Sequence, residues 1–320
     1  MSLPAIHNEA RAAQIDLVRA WAVEVGVPPW VEQTREEQHR FFGLSQGLKM
    51  TGPAAEMASV RTMEIATRRG PRSVRLYQSK SAIQDTLLIY VHGGGYVLGN
   101  LDAVDSEVRR IADSTGLPIV SISYRLAPEH PFPAGIDDVE DILVQIADGA
   151  LGFRTRRIGM LGVSAGAGIA TAALRRRLLA GHRDISMIAL FSPWLDATLS
   201  NPSVELYGTG YFQESAQLFS FRQSYVPQGT DHAHPELSPA RAPLPDSWPA
   251  TIILAAELDP LADDSALMSR RVSEGGAPCE TRFAKGMLHG FHTWWQRIPA
   301  AKADIDWADE RLRKWAHGGA

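Results

Sequence analysis

The sequence predicts an α/β protein with a mostly parallel, doubly wound β-sheet that is flanked by helices. Five apolar runs, several of them rich in Val and Ile, follow one another along the chain from residue 86 onward. Such runs are typical of strands that are buried on both faces of a parallel sheet. Helical patterns separate the runs, and alternating strands and helices favour right-handed crossovers within one sheet.

The first predicted element is a hairpin or a tight turn. Its flanks are Met63–Ala66 and Ser73–Gln78, and Arg68–Arg72 between them contains Gly70 and Pro71. The predicted buried strands are Thr86–Val91, Leu117–Tyr124, Ile158–Val163, Met187–Phe191 and Thr251–Ala256. A sixth run, Cys279–Phe283, alternates more and is predicted to be an edge strand. The predicted helices are Ser106–Ser114, Ile136–Ala147, Ala167–Leu179, Ala262–Ser273 and Ile305–Trp315.

Two regions fall outside this alternation. Residues 1–50 are predicted to be partly helical, and residues 197–248 form a long insert with a predicted helix over Gln213–Tyr225. Four N-terminal apolar residues have helical spacing: Ile15, Val18, Ala22 and Val25. Ligands of parallel sheets bind outside the carboxyl ends of the strands, so we expect both regions to form a cap there. The prediction is a single domain over residues 1–320 with a helical cap.

Composition excludes several classes of function. The formal net charge of −4 provides no basic surface for nucleic acid. No apolar run approaches the roughly 20 residues that cross a bilayer, and Met1–Ala20 has no signal-peptide core. Because Cys279 is the only cysteine, no intrachain disulfide can form, and we expect a cytoplasmic protein.

The strongest local motif is Gly162-Val163-Ser164-Ala165-Gly166, which fits the G-x-S-x-G nucleophile elbow. A serine on a very tight strand-to-helix turn needs glycines two residues to either side, because neighbouring backbone must pass without Cβ clashes. The alternative is a glycine-rich turn with an idle serine. The context favours the elbow, since a predicted strand comes directly before the motif and an Ala- and Leu-rich helix directly after it.

A second glycine-rich segment, His92-Gly93-Gly94-Gly95-Tyr96, follows the first buried strand. Consecutive glycines let backbone N–H groups approach a ligand, and fixed N–H donors stabilise the oxyanion of acyl transfer. A dinucleotide loop would need glycine at position 98, where Leu98 stands, and no Walker-type Gly-Lys-Ser/Thr occurs. We therefore predict an oxyanion hole and no nucleotide cofactor.

A nucleophilic serine needs a base, and the base needs a carboxylate that orients it. In this kind of fold the chain order is Ser, acid, His. Asp259 follows the strand Thr251–Ala256 and is our candidate for the acid. Glu257, Asp263 and Asp264 are weaker candidates, the last two because they fall in the next predicted helix.

The base is predicted in the loop after the last strand, where His289 is followed by Gly290. His292 is the second choice, in a predicted helix that contains Trp294 and Trp295. Most single histidines are structural, but the position of His289 is dictated by the serine and the acid.

The other histidines carry weaker signals. Asp231-His232-Ala233-His234 resembles a metal loop, but no further ligands have suitable spacing, so we interpret it as a solvated loop. His130, between Glu129 and Pro131, is interpreted as structural. No metal and no cofactor is predicted.

Five segments together resemble the hormone-sensitive-lipase-like esterases, also called bacterial family IV carboxylesterases. They are His92–Tyr96, Tyr124–Ala134, Gly162–Gly166, Glu257–Leu261 and His289–Phe291. They stand in the family's order over about 200 residues, and the sequence Tyr-Arg-Leu-Ala-Pro-Glu-His-Pro-Phe-Pro-Ala at 124–134 is highly specific.

The resemblance implies an α/β-hydrolase fold with Ser164 as nucleophile, Asp259 as acid and His289 as base. It implies an oxyanion hole made by Gly93, Gly94, Gly95 and Ala165, in which Gly93 helps to shape the loop. It also implies a cap built from the N-terminus and the insert. The chain departs from the family at the elbow, where Val163 replaces Asp or Thr and Ala167 replaces Gly, and this bears on the subfamily.

These observations predict a serine carboxylesterase that acts on small esters of short- to medium-chain acids. The same residues could open a lactone or hydrolyse an aryl amide or formamide. A binding-only role, as in the plant gibberellin receptors that resemble these esterases, is the alternative from another class. Aromatic residues of the predicted cap suggest an apolar pocket: Trp30, Phe41, Phe42, Tyr207, Tyr211, Phe212 and Phe219. The predicted edge strand could pair across a homodimer axis.

Overall fold

The computed structural model describes residues 5–28, 32–46, 53–83, 85–152 and 155–318. Within them, one sheet contains eight strands. The strands are β1 (Ser59–Ile65), β2 (Arg72–Gln78), β3 (Thr86–Val91), β4 (Ile119–Ile122), β5 (Arg157–Val163), β6 (Ile185–Phe191), β7 (Ala250–Leu258) and β8 (Cys279–Leu288). The α-helices are α1 (Ala5–Val25), α2 (Arg35–Gln46), α3 (Asp105–Thr115), α4 (Ala134–Ala147), α5 (Ala165–Leu179), α6 (Pro202–Leu206), α7 (Ser215–Tyr225), α8 (Ala262–Glu274) and α9 (Lys302–Ala316).

The sheet has the order β1-β2-β4-β3-β5-β6-β7-β8. The predicted hairpin is confirmed, since β1 and β2 pair antiparallel, and β2 joins β4 antiparallel. All the other pairs are parallel. The predicted α/β class is therefore confirmed, and β8 lies at the edge, as predicted for Cys279–Phe283.

The core lies on both faces of the sheet. Helices α4, α5 and α8 bury apolar side chains such as Ile142, Leu174 and Met268 against one face. Helices α3 and α9 cover the other face, where Ile111 and Leu312 are fully buried. Apolar residues on both faces of each central strand explain why β3 and β4 are buried along their whole length.

The main differences from the predicted strands lie at their ends. β4 begins later than the predicted Leu117–Tyr124, because Pro118 has no N–H to give to the ladder, and it ends earlier, at Ile122. β7 and β8 both run further than predicted, so Glu257 belongs to a strand and not to the loop after it. The carboxyl ends of β7 and β8 bring residues 259 and 289 to the same edge of the sheet.

Neither cap segment belongs to the sheet. Helices α1 and α2 precede it, α1 packs against β8, and the insert contains α6 and α7. Among the described residues, no helix combines the length and apolar character that would let it span a bilayer.

Candidate active site

Ser164 is the single residue between the end of β5 and the start of α5. Its backbone has φ 51° and ψ −122°, a conformation that is costly for any residue except glycine. Three hydrogen bonds hold it: its N–H donates to the carbonyl of Phe191 (2.9 Å), and its carbonyl accepts from the amides of Ala167 and Trp194 (3.0 Å each). The strained turn projects the Ser164 hydroxyl away from the sheet.

The glycines of the motif permit this turn because other backbone passes very close to them. A Cβ on Gly162 would lie 2.5 Å from the Cα of Ala167. A Cβ on Gly166 would lie 2.2 Å from the carbonyl oxygens of both Val91 and His92. Both distances are shorter than a carbon atom allows, so neither position accepts a side chain without movement of the backbone.

The three side chains predicted to act together are joined in one chain of hydrogen bonds. Asp259 and His289 directly follow β7 and β8. The imidazole Nδ1 of His289 lies 2.7 Å from Asp259 Oδ2, and its Nε2 lies 3.0 Å from Ser164 Oγ. The other carboxylate oxygen of Asp259 accepts the amide of Leu261 (2.8 Å). Asp259 is 1% exposed and His289 is 7% exposed, so little water competes for these bonds.

The alternative acids are engaged elsewhere. Glu257 accepts the amide of Gly286, and Asp263 accepts the amide of Ser203. Asp264 is buried and accepts the amides of residues 195 and 196. Burial raises the pKa of Asp264 well above its ordinary value.

The alternative base, His292, is also placed elsewhere, and its predicted helix is wrong. The chain forms only a 3-10 helix over Phe291–Thr293, which does not continue to Trp295. An i→i+3 hydrogen bond from the amide of Trp294 to the carbonyl of Phe291 closes it. The His292 Nε2 lies 3.3 Å from Glu107. Burial alone raises the pKa of Glu107, but His292 and the hydrogen bond from Tyr90 outweigh it and hold that pKa below its ordinary value.

The loop after β3 presents backbone amides beside Ser164. A Cβ placed on Gly93 would lie 3.2 Å from the Cβ of Ser164, which shows how closely the two segments pass. Within the part of the chain that the structure describes, the amides of Gly94, Gly95 and Ala165 donate to no protein acceptor. These N–H groups are therefore free to receive a negatively charged oxygen.

Two residues support this loop in roles that the sequence did not reveal. The carbonyl of His92 accepts the hydroxyl of Tyr124 (2.8 Å), and the two rings stack with centroids 4.3 Å apart. Burial lowers the pKa of His92 to about 4, so its ring is neutral at pH 7. Its Nδ1 then donates to the carbonyl of Gly93 (2.7 Å). The sequence feature that could have indicated this support of the loop is Tyr124 itself, the first residue of the specific stretch 124–134.

A cavity of about 320 Å³ opens onto Ser164 and His289. Both predicted cap segments line it. The N-terminal segment contributes Val18, Trp21, Ala22, Val27, Pro28, Gln33, Gln38, Phe41 and Phe42, and the insert contributes Phe212, Gln213, Gln217 and Phe221.

The aromatic residues of the predicted cap have different surroundings. Phe41, Phe42 and Phe212 line the cavity. Tyr207 and Tyr211 pack edge to face on each other, with ring centroids 5.2 Å apart. Phe219 is 42% exposed, and Trp30 lies outside the described residues. Only part of the predicted aromatic set therefore forms the pocket.

The segment Asp231–His234 forms a turn of its own. The Asp231 side chain accepts the amide of Ala233, and the His234 ring accepts the amide of Glu236. Over the described ranges, no cluster of three or more potential metal ligands is present. The exposed His130 lies in a turn, where its amide donates to Leu126.

Comparisons with known proteins identify the family to which this fold belongs. A family model described as the alpha/beta hydrolase fold matches residues 88–293. The chain is 33% identical over 294 residues to an ethyl acetate hydrolase from Pseudomonas putida, with 89% of this chain and 91% of that one covered. It is 30% identical over 274 residues to an acetyl esterase from Salmonella dublin, with 83% of each chain covered.

Two solved structures extend the similarity over almost the whole chain. An ester hydrolase from the metagenome of Lake Arreo has a TM-score of 0.86 and 29% identity, covering 98% of this chain and 99% of that one. An esterase from Pyrobaculum calidifontis has a TM-score of 0.85 and 26% identity, again covering 98% and 99%.

Fold and relatives define the class: the chain belongs to the α/β-hydrolase family of carboxylic ester hydrolases. More narrowly, the predicted resemblance to the hormone-sensitive-lipase-like carboxylesterases is confirmed.

Proposed function

We propose that this protein hydrolyses small carboxylic esters through an acyl-enzyme formed on Ser164. The observation that carries the proposal is the continuous chain of hydrogen bonds from Asp259 through His289 to Ser164, which ends at the cavity beside free backbone amides. No other arrangement in the described part of the chain combines a nucleophile, a base and an oriented carboxylate at a cavity wall.

The reaction proceeds in two acyl transfers. Ser164 attacks the ester carbonyl while Nε2 of His289 takes the hydroxyl proton, and the buried carboxylate of Asp259 holds the ring in the required tautomer. The amides of Gly94, Gly95 and Ala165 receive the oxyanion of the tetrahedral intermediate. His289 then protonates the leaving alcohol. Water repeats the sequence on the acyl-enzyme and releases the acid.

The substrate class follows from the cavity and the relatives. Phe41, Phe42, Phe212 and Phe221 give the cavity apolar walls, and its volume suits a small ester. Relatives named for acetyl esters support a short acyl group. We therefore place the preferred acyl chains in the short to medium range.

The test is hydrolysis of p-nitrophenyl acetate by purified variants. Ser164→Ala is expected to lose all turnover that depends on the acyl-enzyme. Asp259→Asn is expected to lower kcat by about 10⁴ because the imidazole tautomer is then wrong. Full activity in the Ser164→Ala variant would refute the proposal.

The same assay, extended to other substrates, tests two alternative functions. A screen that adds lactones, aryl amides and formamides of graded size distinguishes ester hydrolysis from lactone opening and amide hydrolysis. A binding-only receptor of the gibberellin type would turn over none of them.

We also place the protein in the cytoplasm, on the basis of its single cysteine, Cys279. Pairing of the segment Cys279–Phe283 of the edge strand β8 across a two-fold axis is our proposal for a homodimer.

A further inference from the structure

The parallel ladder between β7 and β8 is interrupted just before it reaches the active site. Ala256 pairs with Ala284, and the next pair is Leu258 with Leu288. Between these pairs β7 has the single residue Glu257, whereas β8 has residues 285–287. The pair that closes this bulge, Leu258 with Leu288, directly precedes Asp259 on one strand and His289 on the other.

Two side chains hold the bulge from different directions. From β7, Glu257 Oε2 accepts the amide of Gly286 (2.8 Å). From α1, the carboxamide of Gln14 donates its Nε2–H to the carbonyl of Gly286 (2.7 Å) and accepts the amide of Leu288 at Oε1 (3.0 Å). Gly286 has φ 69°, so the backbone at this point is outside the extended range.

Gln14 acts as a substitute for a neighbouring strand. β8 is an edge strand, and no strand among the described residues pairs with its outer side. A carboxamide offers the same donor and acceptor as a peptide group, so one side chain satisfies the Gly286 carbonyl in the bulge and the Leu288 amide directly after it. Gln14 is 1% exposed, and buried backbone groups that lose such partners carry a desolvation penalty.

We propose that Gln14 and Glu257 are positioning residues that clamp the β8 bulge and so set the His289 imidazole against Ser164. Through Gln14, docking of the N-terminal helix α1 becomes a condition for full turnover. The inference rests on the proposed function, because the clamp matters for catalysis only if His289 is the base.

The test is Gln14→Met, which keeps the length of the side chain and removes both hydrogen bonds. Displacement of a reacting group by about 1 Å costs up to about 100-fold in rate, so kcat is expected to fall about 10- to 100-fold. The KM for p-nitrophenyl acetate should stay within about twofold, since Gln14 does not line the cavity. The rate at which a fluorophosphonate modifies Ser164 should fall by the same factor as kcat.

Leu17→Ala is the matched control on the same helix. The Leu17 side chain packs against the core and has no polar atom that could bond to β8. We expect it to lower the melting temperature but to leave kcat within about twofold of wild type. Equal losses of kcat in Leu17→Ala and Gln14→Met, or an unchanged kcat in Gln14→Met, would overturn the clamp.

Variants of Glu257 test the contact that β7 makes with the bulge, and they decide the question if Gln14→Met fails to fold. Glu257→Gln keeps an acceptor for the Gly286 amide and should retain wild-type kcat, whereas Glu257→Met should show the same loss of kcat at constant KM. Identical kcat values in the two variants would contradict the clamp. The outcomes that contradict the clamp can be told apart from a failure of the proposed function, because in the latter case the Ser164→Ala variant would remain active.

Discussion

Ser164 shows how local sequence sets the conformation of one functional residue. Its backbone is strained, and three hydrogen bonds with Phe191, Ala167 and Trp194 maintain it. The flanking glycines leave room for the backbone that passes beside the turn. Turn and glycines are neighbours in sequence. The motif could therefore predict both once it was read with the predicted strand before it and the predicted helix after it.

Gly166→Ala tests this packing. Its Cβ would lie 2.2 Å from two carbonyl oxygens, and we expect the free energy of unfolding to fall by about 3 kcal/mol or more. The control is Gly43→Ala in α2, where an added Cβ meets nothing within 4 Å and should raise stability by up to about 1 kcal/mol. Urea denaturation measures both, and equal effects of the two substitutions would contradict the account.

The lowered pKa of His92 predicts that the stability of the protein depends on pH. Burial lowers its pKa in the folded protein to about 4, whereas the unfolded chain has the ordinary value near 6.5. Between these values the unfolded state binds the additional proton. This contribution therefore destabilises wild type as the pH falls from about 6.5 to about 4, by up to about 1.4 kcal/mol per pH unit.

His92→Gln removes the titrating group and keeps a donor for Gly93. Between pH 7 and pH 4.5, wild type should lose about 2 kcal/mol more unfolding free energy than this variant. Urea denaturation at the two pH values measures the difference, and a difference that does not change with pH would refute the assignment.

At the scale of elements, α7 links the insert to the oxyanion loop. Phe221 lines the cavity, and a Cβ on Gly95 would lie 2.4 Å from its ring. Phe219, two residues earlier, is 42% exposed, and the guanidinium of Arg222 lies 5.0 Å from its ring. The sequence predicted this helix over Gln213–Tyr225 and offered Phe219, not Phe221, for the apolar pocket. Both rings belong to the same apolar run, so the sequence did not show which of them faces the cavity.

Phe221→Ala should change the choice of acyl chain. The enlarged cavity should raise the ratio of kcat/KM for p-nitrophenyl octanoate to that for the acetate by about tenfold. Phe219→Ala removes the same ring from the same helix outside the cavity and should leave the ratio at the wild-type value. A shift of equal size in both variants would contradict the assignment of Phe221 to the cavity wall.

At the scale of the whole molecule, the sequence predicted the parts of the site that lie in short motifs. The elbow, the glycine loop, Asp259 and His289 each follow a strand, so the sheet delivers them to one edge. Contacts between segments that are far apart in sequence produce no short motif that could predict them. Gln14 meets β8 across more than 270 residues, and Glu257 was expected in a loop because a charged residue rarely belongs to a buried strand.

The central claim is that three side chains far apart in sequence act on one bond. Its most direct test is modification by a fluorophosphonate, followed by mapping of the adduct by peptide mass spectrometry. We expect one phosphonate per chain on Ser164, no adduct in Ser164→Ala, and much slower modification of Ser164 in His289→Ala. An adduct on another serine, or a rate that does not depend on residue 289, would contradict the account.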